Sequence, residues 1–196
     1  MVRDGSLIAF RTDTFYGLGV EPFTRHGVQR IKELKGREDR KPILVVISDR
    51  DQVARFIQQP SAAFNKLAET LWPGPLTLIG VATAEVSDEI TAGTGTIGVR
   101  LPADESVREL VRACGGALTA TSANPAHFPP ATNAQMVRDY FGEDLDYIID
   151  DGEAKTDRPS SVVDVSGPEP SLIREGVISW CEIEQCLADL THQGRL

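Results

Sequence analysis

The apolar run Leu7-Ile8-Ala9-Phe10 passes directly into Arg11-Thr12-Asp13-Thr14-Phe15-Tyr16-Gly17-Leu18-Gly19. Its length and branched content read as a buried strand. A strand of this kind belongs in the sheet of an α/β domain, where ligands collect outside the carboxyl ends of strands. The hydroxyls of Thr12, Thr14 and Tyr16 and the carboxylate of Asp13 are therefore delivered to a rim, and Gly17 and Gly19 let backbone approach closely there. Taken alone, the nonapeptide is equally a polar loop leaving a strand.

Further short apolar runs follow at Ile43–Ile47, Leu76–Val81, Ala117–Thr121 and Asp146–Ile149, with an alternating one at Ser160–Val165. Between them lie capped helical segments. Thr24 is placed to cap a helix carrying Val28, Ile31 and Leu34, which Gly36 stops. Asp49, Ser61, Asp104 and Thr132 are placed to cap others, and Ser179-Trp180-Cys181-Glu182 is a capping box. Trp72-Pro73-Gly74-Pro75 is a hard break. Gly93, Gly95 and Gly98 fit G-x-G-x-x-G, but that fingerprint must open a helix, whereas Val99-Arg100-Leu101-Pro102 reads as strand and stop. A glycine-rich loop presenting Arg100 is the better reading. The whole is expected to be one α/β (α+β) domain over residues 1–196.

The 196 residues suit such a domain without covalent staples. No apolar run approaches a membrane span and no leader pattern opens the chain. Cys114, Cys181 and Cys186 form no C-x-x-C pair, so a reducing cytoplasm is expected. The net charge of −9 argues against a general basic coat for nucleic acid. Yet Arg25 to Lys41 holds seven Lys or Arg against three acids. Such a positive island suits a compact polyanion such as a nucleotide triphosphate, or is simply a solvated helix face.

Several chemistries are excluded. G-x-x-x-x-G-K-[ST] and G-x-S-x-G are both missing, and His26, His127 and His192 have no ligand spacing. What remains is basic and hydroxyl equipment at strand ends: Thr14, Lys35, Arg37, Arg100, Ser122, Asn124, Ser160 and Arg174. It suits phosphoryl or nucleotidyl transfer, in which alignment and electrostatics dominate. Singly, each is as readily a surface charge or a turn hydroxyl.

Six separated segments resemble the YrdC family of threonylcarbamoyl-adenylate synthases: T-D-T-F-Y-G-L-G, K-G-R followed by K-P, W-P-G-P-L-T, G-V-R-L-P, S-A-N, and S-S-V-V-D-V followed by I-R-E-G. They keep the family's order from Leu7 to about Gly176. The resemblance implies a twisted, open mixed β-sheet flanked by helices, with a basic concave cavity. It implies synthesis of threonylcarbamoyl-AMP and pyrophosphate from L-threonine, bicarbonate and ATP, with Mg2+ bridging the phosphates and no protein metal site. The product serves a downstream threonylcarbamoyl-transferase complex that modifies adenosine 37 of tRNA, and direct tRNA contact is not required. By the same resemblance Lys35 and Arg37 are the catalytic pair. Lys35, Arg37, Lys41, Thr96, Ser122, Asn124 and Arg174 contact ATP, and Thr14, Arg100 and Ser160 hold threonine.

The chain departs from the family at Arg11, where proline is usual, at Val46, where some relatives place threonine, and at Pro125. It reads as a short, single-domain form. Two other readings stay open: a module binding double-stranded or structured RNA, and a divergent nucleotide-binding paralogue acting on another carbamate.

Overall fold

The computed structural model describes residues 5–36 and 41–193. In chain order the elements are β1 (Ile8–Arg11), β2 (Tyr16–Gly19), α1 (Arg25–Leu34), β3 (Val45–Ile47), α2 (Ala62–Leu71), β4 (Leu76–Val81), α3 (Asp88–Thr91) and β5 (Thr96–Arg100). There follow α4 (Glu105–Ala113), β6 (Ala117–Thr119), β7 (Thr121–Ser122), α5 (Ala134–Phe141), β8 (Tyr147–Ile149), β9 (Ser161–Asp164), β10 (Ser171–Arg174) and α6 (Trp180–Gln193). A 3-10 turn spans Arg50–Arg55, where a longer helix was expected from Asp49.

The α/β class holds, but the strands form two mixed sheets where a single one was expected. Four strands run in the order β7-β2-β1-β8 and six in the order β10-β9-β4-β5-β3-β6. The division falls at Ala120, within the run expected to be one strand. Thr119 donates its N–H to Val20 at 3.0 Å and Ala120 donates to Leu44 at 2.8 Å, so β6 stays with β3 while β7 crosses to β2. Alternating sequence is the same on either side of such a crossing, because only distant partners define it.

The all-apolar strands are buried on both faces, as parallel pairing under helices requires. Along β1, Ala9 packs into the larger core cluster with Leu18, Val45 and Phe141, while Ile8 and Phe10 pack into a smaller one with Val107 and Val111 of α4. Val46 is fully buried in that smaller cluster, so its methyls serve packing.

Local capping chemistry follows the sequence with two substitutions of role. Ser61, Asp104 and the Ser179–Glu182 box cap as expected. Thr24 occupies the cap position, but its hydroxyl donates to Glu21 at 2.9 Å. Asn133 takes the cap of α5 in place of Thr132, because its Oδ1 reaches Met136 N at 2.8 Å. Gly93 and Gly95 adopt φ of +75° and +70° in a turn that opens β5, a strand and not a helix. Among the described residues, no helix is long and apolar enough to cross a membrane.

Candidate functional site

The carboxyl ends of β1 and β5 and the start of β9 meet where the two sheets part. Thr12 to Phe15 form a tight turn between β1 and β2: Thr12 gives its N–H to the Phe15 carbonyl at 3.0 Å and its hydroxyl to the same oxygen at 2.7 Å. The Thr12 and Thr14 hydroxyls lie 3.1 Å apart, both buried. Arg100, the last residue of β5, is 3% exposed. It donates to the Thr14 hydroxyl at 3.3 Å and pairs with Asp13 at 3.3 Å.

Opposite them stand Ser160 and Arg174. Arg174 donates from Nε and Nη2 to the Ser160 carbonyl at 3.1 and 3.0 Å, and from Nη2 to the Ser160 hydroxyl at 3.2 Å. The Ser160 hydroxyl also meets Thr77 of β4 at 3.1 Å. Arg174 titrates below the ordinary arginine value, first because the walls around it exclude water and then because Arg100 repels it. Among the described residues no carboxylate pairs with Arg174. Two guanidinium groups facing one space call for an anion between them.

That space is a cavity of about 500 Å³. Thr14, Gly17, Arg100, Ser122, Ser160 and Arg174 line it together with Phe15, Leu44, Ala120, Pro130 and Pro159, and Asp157 is its lining carboxylate. Lys35 lies beneath one wall. It caps the C-terminus of α1, is 6% exposed, and donates through Nζ to the Ser122 carbonyl at 2.5 Å. Its further approaches are to the Ser122 and Thr121 hydroxyls, each at 3.4 Å. An ammonium buried beside the cavity wall attracts a phosphate strongly.

The structure thus gathers Thr14, Arg100, Ser122, Ser160, Arg174 and Lys35. Thr96 and Asn124 are placed otherwise. Thr96 shares a face with Arg100 but sits at the other end of β5, about 13 Å away at ~3.3 Å per residue, its hydroxyl 3.0 Å from that of Thr94. Lys41 is exposed beside Pro42, which lines the cavity. Asn124 folds its amide onto the Pro125 and Phe128 carbonyls at 3.0 and 2.7 Å, and so shapes the S-A-N turn from behind. Arg37 lies outside the described residues.

Other contacts have partners that the sequence did not reveal. The Tyr16 hydroxyl, expected at the rim, donates to the Gly152 carbonyl at 2.8 Å and anchors the connection from β8 to β9. Arg11 pairs with Asp104 at 2.9 Å and with Asp151, and Asp104 also meets Lys155 at 2.8 Å. The proline usual at position 11 in the resembling family would carry none of these pairs. Burial opposes ionisation of Asp104, yet hydrogen bonds from Lys155, Ser106 and Arg11 outweigh it and hold the carboxyl well below the usual carboxylate range. Its stabilising contribution is complete above the unfolded value of ~3.9 and is lost as pH falls below that. Asp104→Asn is therefore expected to flatten the acid limb of a pH–stability curve below about pH 4, as urea unfolding at successive pH values would show.

Gly176, of the I-R-E-G segment, is needed for close approach. A Cβ there would stand 2.5 Å from the Ser160 carbonyl carbon. Gly176→Ala should displace Ser160 and cost about 1–3 kcal/mol of stability, measurable by urea denaturation.

A family model for Sua5/YciO/YrdC proteins, described as telomere recombination, matches residues 1–176. The threonylcarbamoyl-AMP synthase of Pyrococcus abyssi is 34% identical over 189 residues, covering 96% of this chain and 56% of its own length. That of Halorhodospira halophila is 32% identical over 163 residues, covering 83% of this chain and 85% of its own. Among solved structures, P. abyssi Sua5 complexed with L-threonine gives a TM-score of 0.91 at 35% identity, covering 95% of this chain and 55% of that one. This chain therefore spans about half the length of the P. abyssi protein and most of the H. halophila one. With the matched model covering nine-tenths of it, the chain belongs to the Sua5/YciO/YrdC family.

Proposed function

We propose that the chain is an L-threonylcarbamoyladenylate synthase, forming threonylcarbamoyl-AMP and pyrophosphate from L-threonine, bicarbonate and ATP. The observation that carries this reading is the pairing of a buried Arg100–Thr14 couple with Arg174, Ser122 and Lys35 around one cavity of about 500 Å³. The naming of relatives as threonylcarbamoyl-AMP synthases and the threonine complex of P. abyssi Sua5 support it.

In this reading Arg100 takes the threonine carboxylate, with Thr14 and Ser160 beside it. The neutral amine combines with bicarbonate, losing water, to give a carbamate. A carbamate oxygen then attacks the α-phosphorus of ATP in line, and pyrophosphate leaves. Lys35, with Arg37, offsets charge growing on the leaving group, and Ser122 and Arg174 hold phosphate oxygens. Carbamates decompose in water, and the apolar walls of Phe15, Leu44 and Pro159 would limit its access to the intermediate. Among the described residues no group of three or more His, Cys, Asp or Glu assembles to hold a metal. Mg2+ carried on the ATP phosphates would offset their charge. The product would pass to a threonylcarbamoyl-transferase complex acting on tRNA in the cytoplasm.

Calorimetric titration tests the assignment of Arg100. L-Threonine should bind, and L-threoninol, which lacks the carboxylate, should bind roughly ten- to hundred-fold more weakly, since a charge-assisted hydrogen bond contributes about 1.5–3 kcal/mol. Equal binding of the two would contradict the proposal.

A further inference from the structure

Two ion pairs of opposite polarity tie the Thr12–Phe15 turn to the segment leaving β5. Arg11 meets Asp104 at 2.9 Å, and Asp13 meets Arg100 at 3.3 Å. Between them the Ala103 N–H approaches the other Asp13 oxygen at 3.5 Å. Residues 11 to 14 thus run against residues 104 to 100, cation opposite anion and then anion opposite cation. The Asp13 side chain is 7% exposed and that of Arg100 4%. The Asp13 carboxylate is not among the cavity-lining groups, whereas Arg100 is.

Arg100 therefore spends one terminal nitrogen on Asp13 and the other on Thr14, while its Nε has no hydrogen-bond partner among the described residues. A guanidinium held by an ion pair on one side and a hydrogen bond on the other is restricted in how it can meet a planar carboxylate. Ser160, the other proposed threonine contact, is fixed independently by Thr77 and Arg174.

We infer that Asp13 is a positioning residue, which through its buried pair with Arg100 sets the affinity of the cavity for the carboxylate of an α-amino acid. The inference rests on the threonine reading of the cavity. Two opposing effects separate this role from a bland one. If Asp13 were only a nearby negative charge, removing it would strengthen carboxylate binding by lifting repulsion. If it orients Arg100, removing it lets the guanidinium turn toward other partners and weakens carboxylate binding, because a two-point contact with a planar carboxylate needs one fixed orientation. The contacts of Thr14 with Arg100 and of the Ala103 N–H with Asp13, which fix the geometry of the pair, favour the second effect.

The test is calorimetric titration of L-threonine and of ATP, separately, into the wild type and Asp13→Asn, each shown folded by its melting transition. The expected result is a rise in threonine Kd of at least ten-fold in the variant, with ATP Kd within two-fold of wild type. Should Asp13→Asn fail to fold, Asp13→Glu, which keeps the charge but misplaces it, is measured against the same two ligands and should show the same selective loss. Unchanged or tighter threonine binding, or equal weakening of both ligands, would overturn the inference while leaving the function standing. Failure of the wild type to bind threonine would overturn both.

Discussion

Replacing Arg100 with methionine is expected to lower threonine-dependent pyrophosphate release at least hundred-fold and, separately, to destabilise the fold by about 3–5 kcal/mol. The first effect follows from losing the group placed to hold the substrate carboxylate, whose misplacement also forfeits alignment for the attack on phosphorus. The second has a different origin. Arg100 is 3% exposed, and its removal leaves Asp13 buried with no cation against it. Breaking a buried pair from one side costs that amount because the surviving charge is uncompensated. The two effects are separable: Asp13→Asn combined with Arg100→Met should recover most of the lost stability and none of the lost activity. Urea unfolding and a pyrophosphate assay on the single and double variants form the necessary cycle. A double variant as unstable as Arg100→Met alone would show that the ion pair is not the source of the loss.

Lys35→Met is expected to reduce pyrophosphate release by roughly ten- to hundred-fold, the equivalent of one charge-assisted hydrogen bond at the transition state. Threonine affinity should stay within about two-fold, because Lys35 donates to the Ser122 carbonyl, whereas Arg100 and Thr14 are the groups proposed to take the carboxylate. Methionine fills the same channel without the charge, so the loss of the contacts to Thr121 and Ser122 should itself cost folding about 1–3 kcal/mol. Steady-state kinetics with each substrate varied in turn distinguish this from a general collapse of the site. A variant of wild-type turnover would remove Lys35 from the machinery.

Those two residues also show how far sequence alone could reach. Arg100 was legible because a glycine-rich turn, a short strand and a proline stop leave it at a strand end. Lys35 was legible because Gly36, at φ +55°, ends α1 right beside it. The strand runs were legible from their apolar character, which double burial by two core clusters explains. What escaped depends on partners remote in sequence. The crossing from one sheet to the other at Ala120 is defined by Val20 and Leu44. Arg11 looks like an odd charge beside a strand until Asp104 and Asp151, more than ninety residues away, are seen to enclose it. Thr96 lies on the face that Arg100 uses but at the opposite end of the strand, a separation that motif order does not convey. Asn124 was read as a group turned toward ligand, whereas its amide hydrogens are taken by two carbonyls of its own turn. Short polar side chains compete for such local backbone groups, and sequence does not reveal which partner wins.

The central claim is that one cavity brings a threonine-derived carbamate to the α-phosphorus of ATP. Pyrophosphate release from ATP and Mg2+, with threonine and bicarbonate omitted in turn and the nucleotide product identified by mass spectrometry, tests it most directly. Release that requires both, with threonylcarbamoyl-AMP as the product, is the expected result. Release independent of threonine, or none from folded protein that binds ATP, would contradict it.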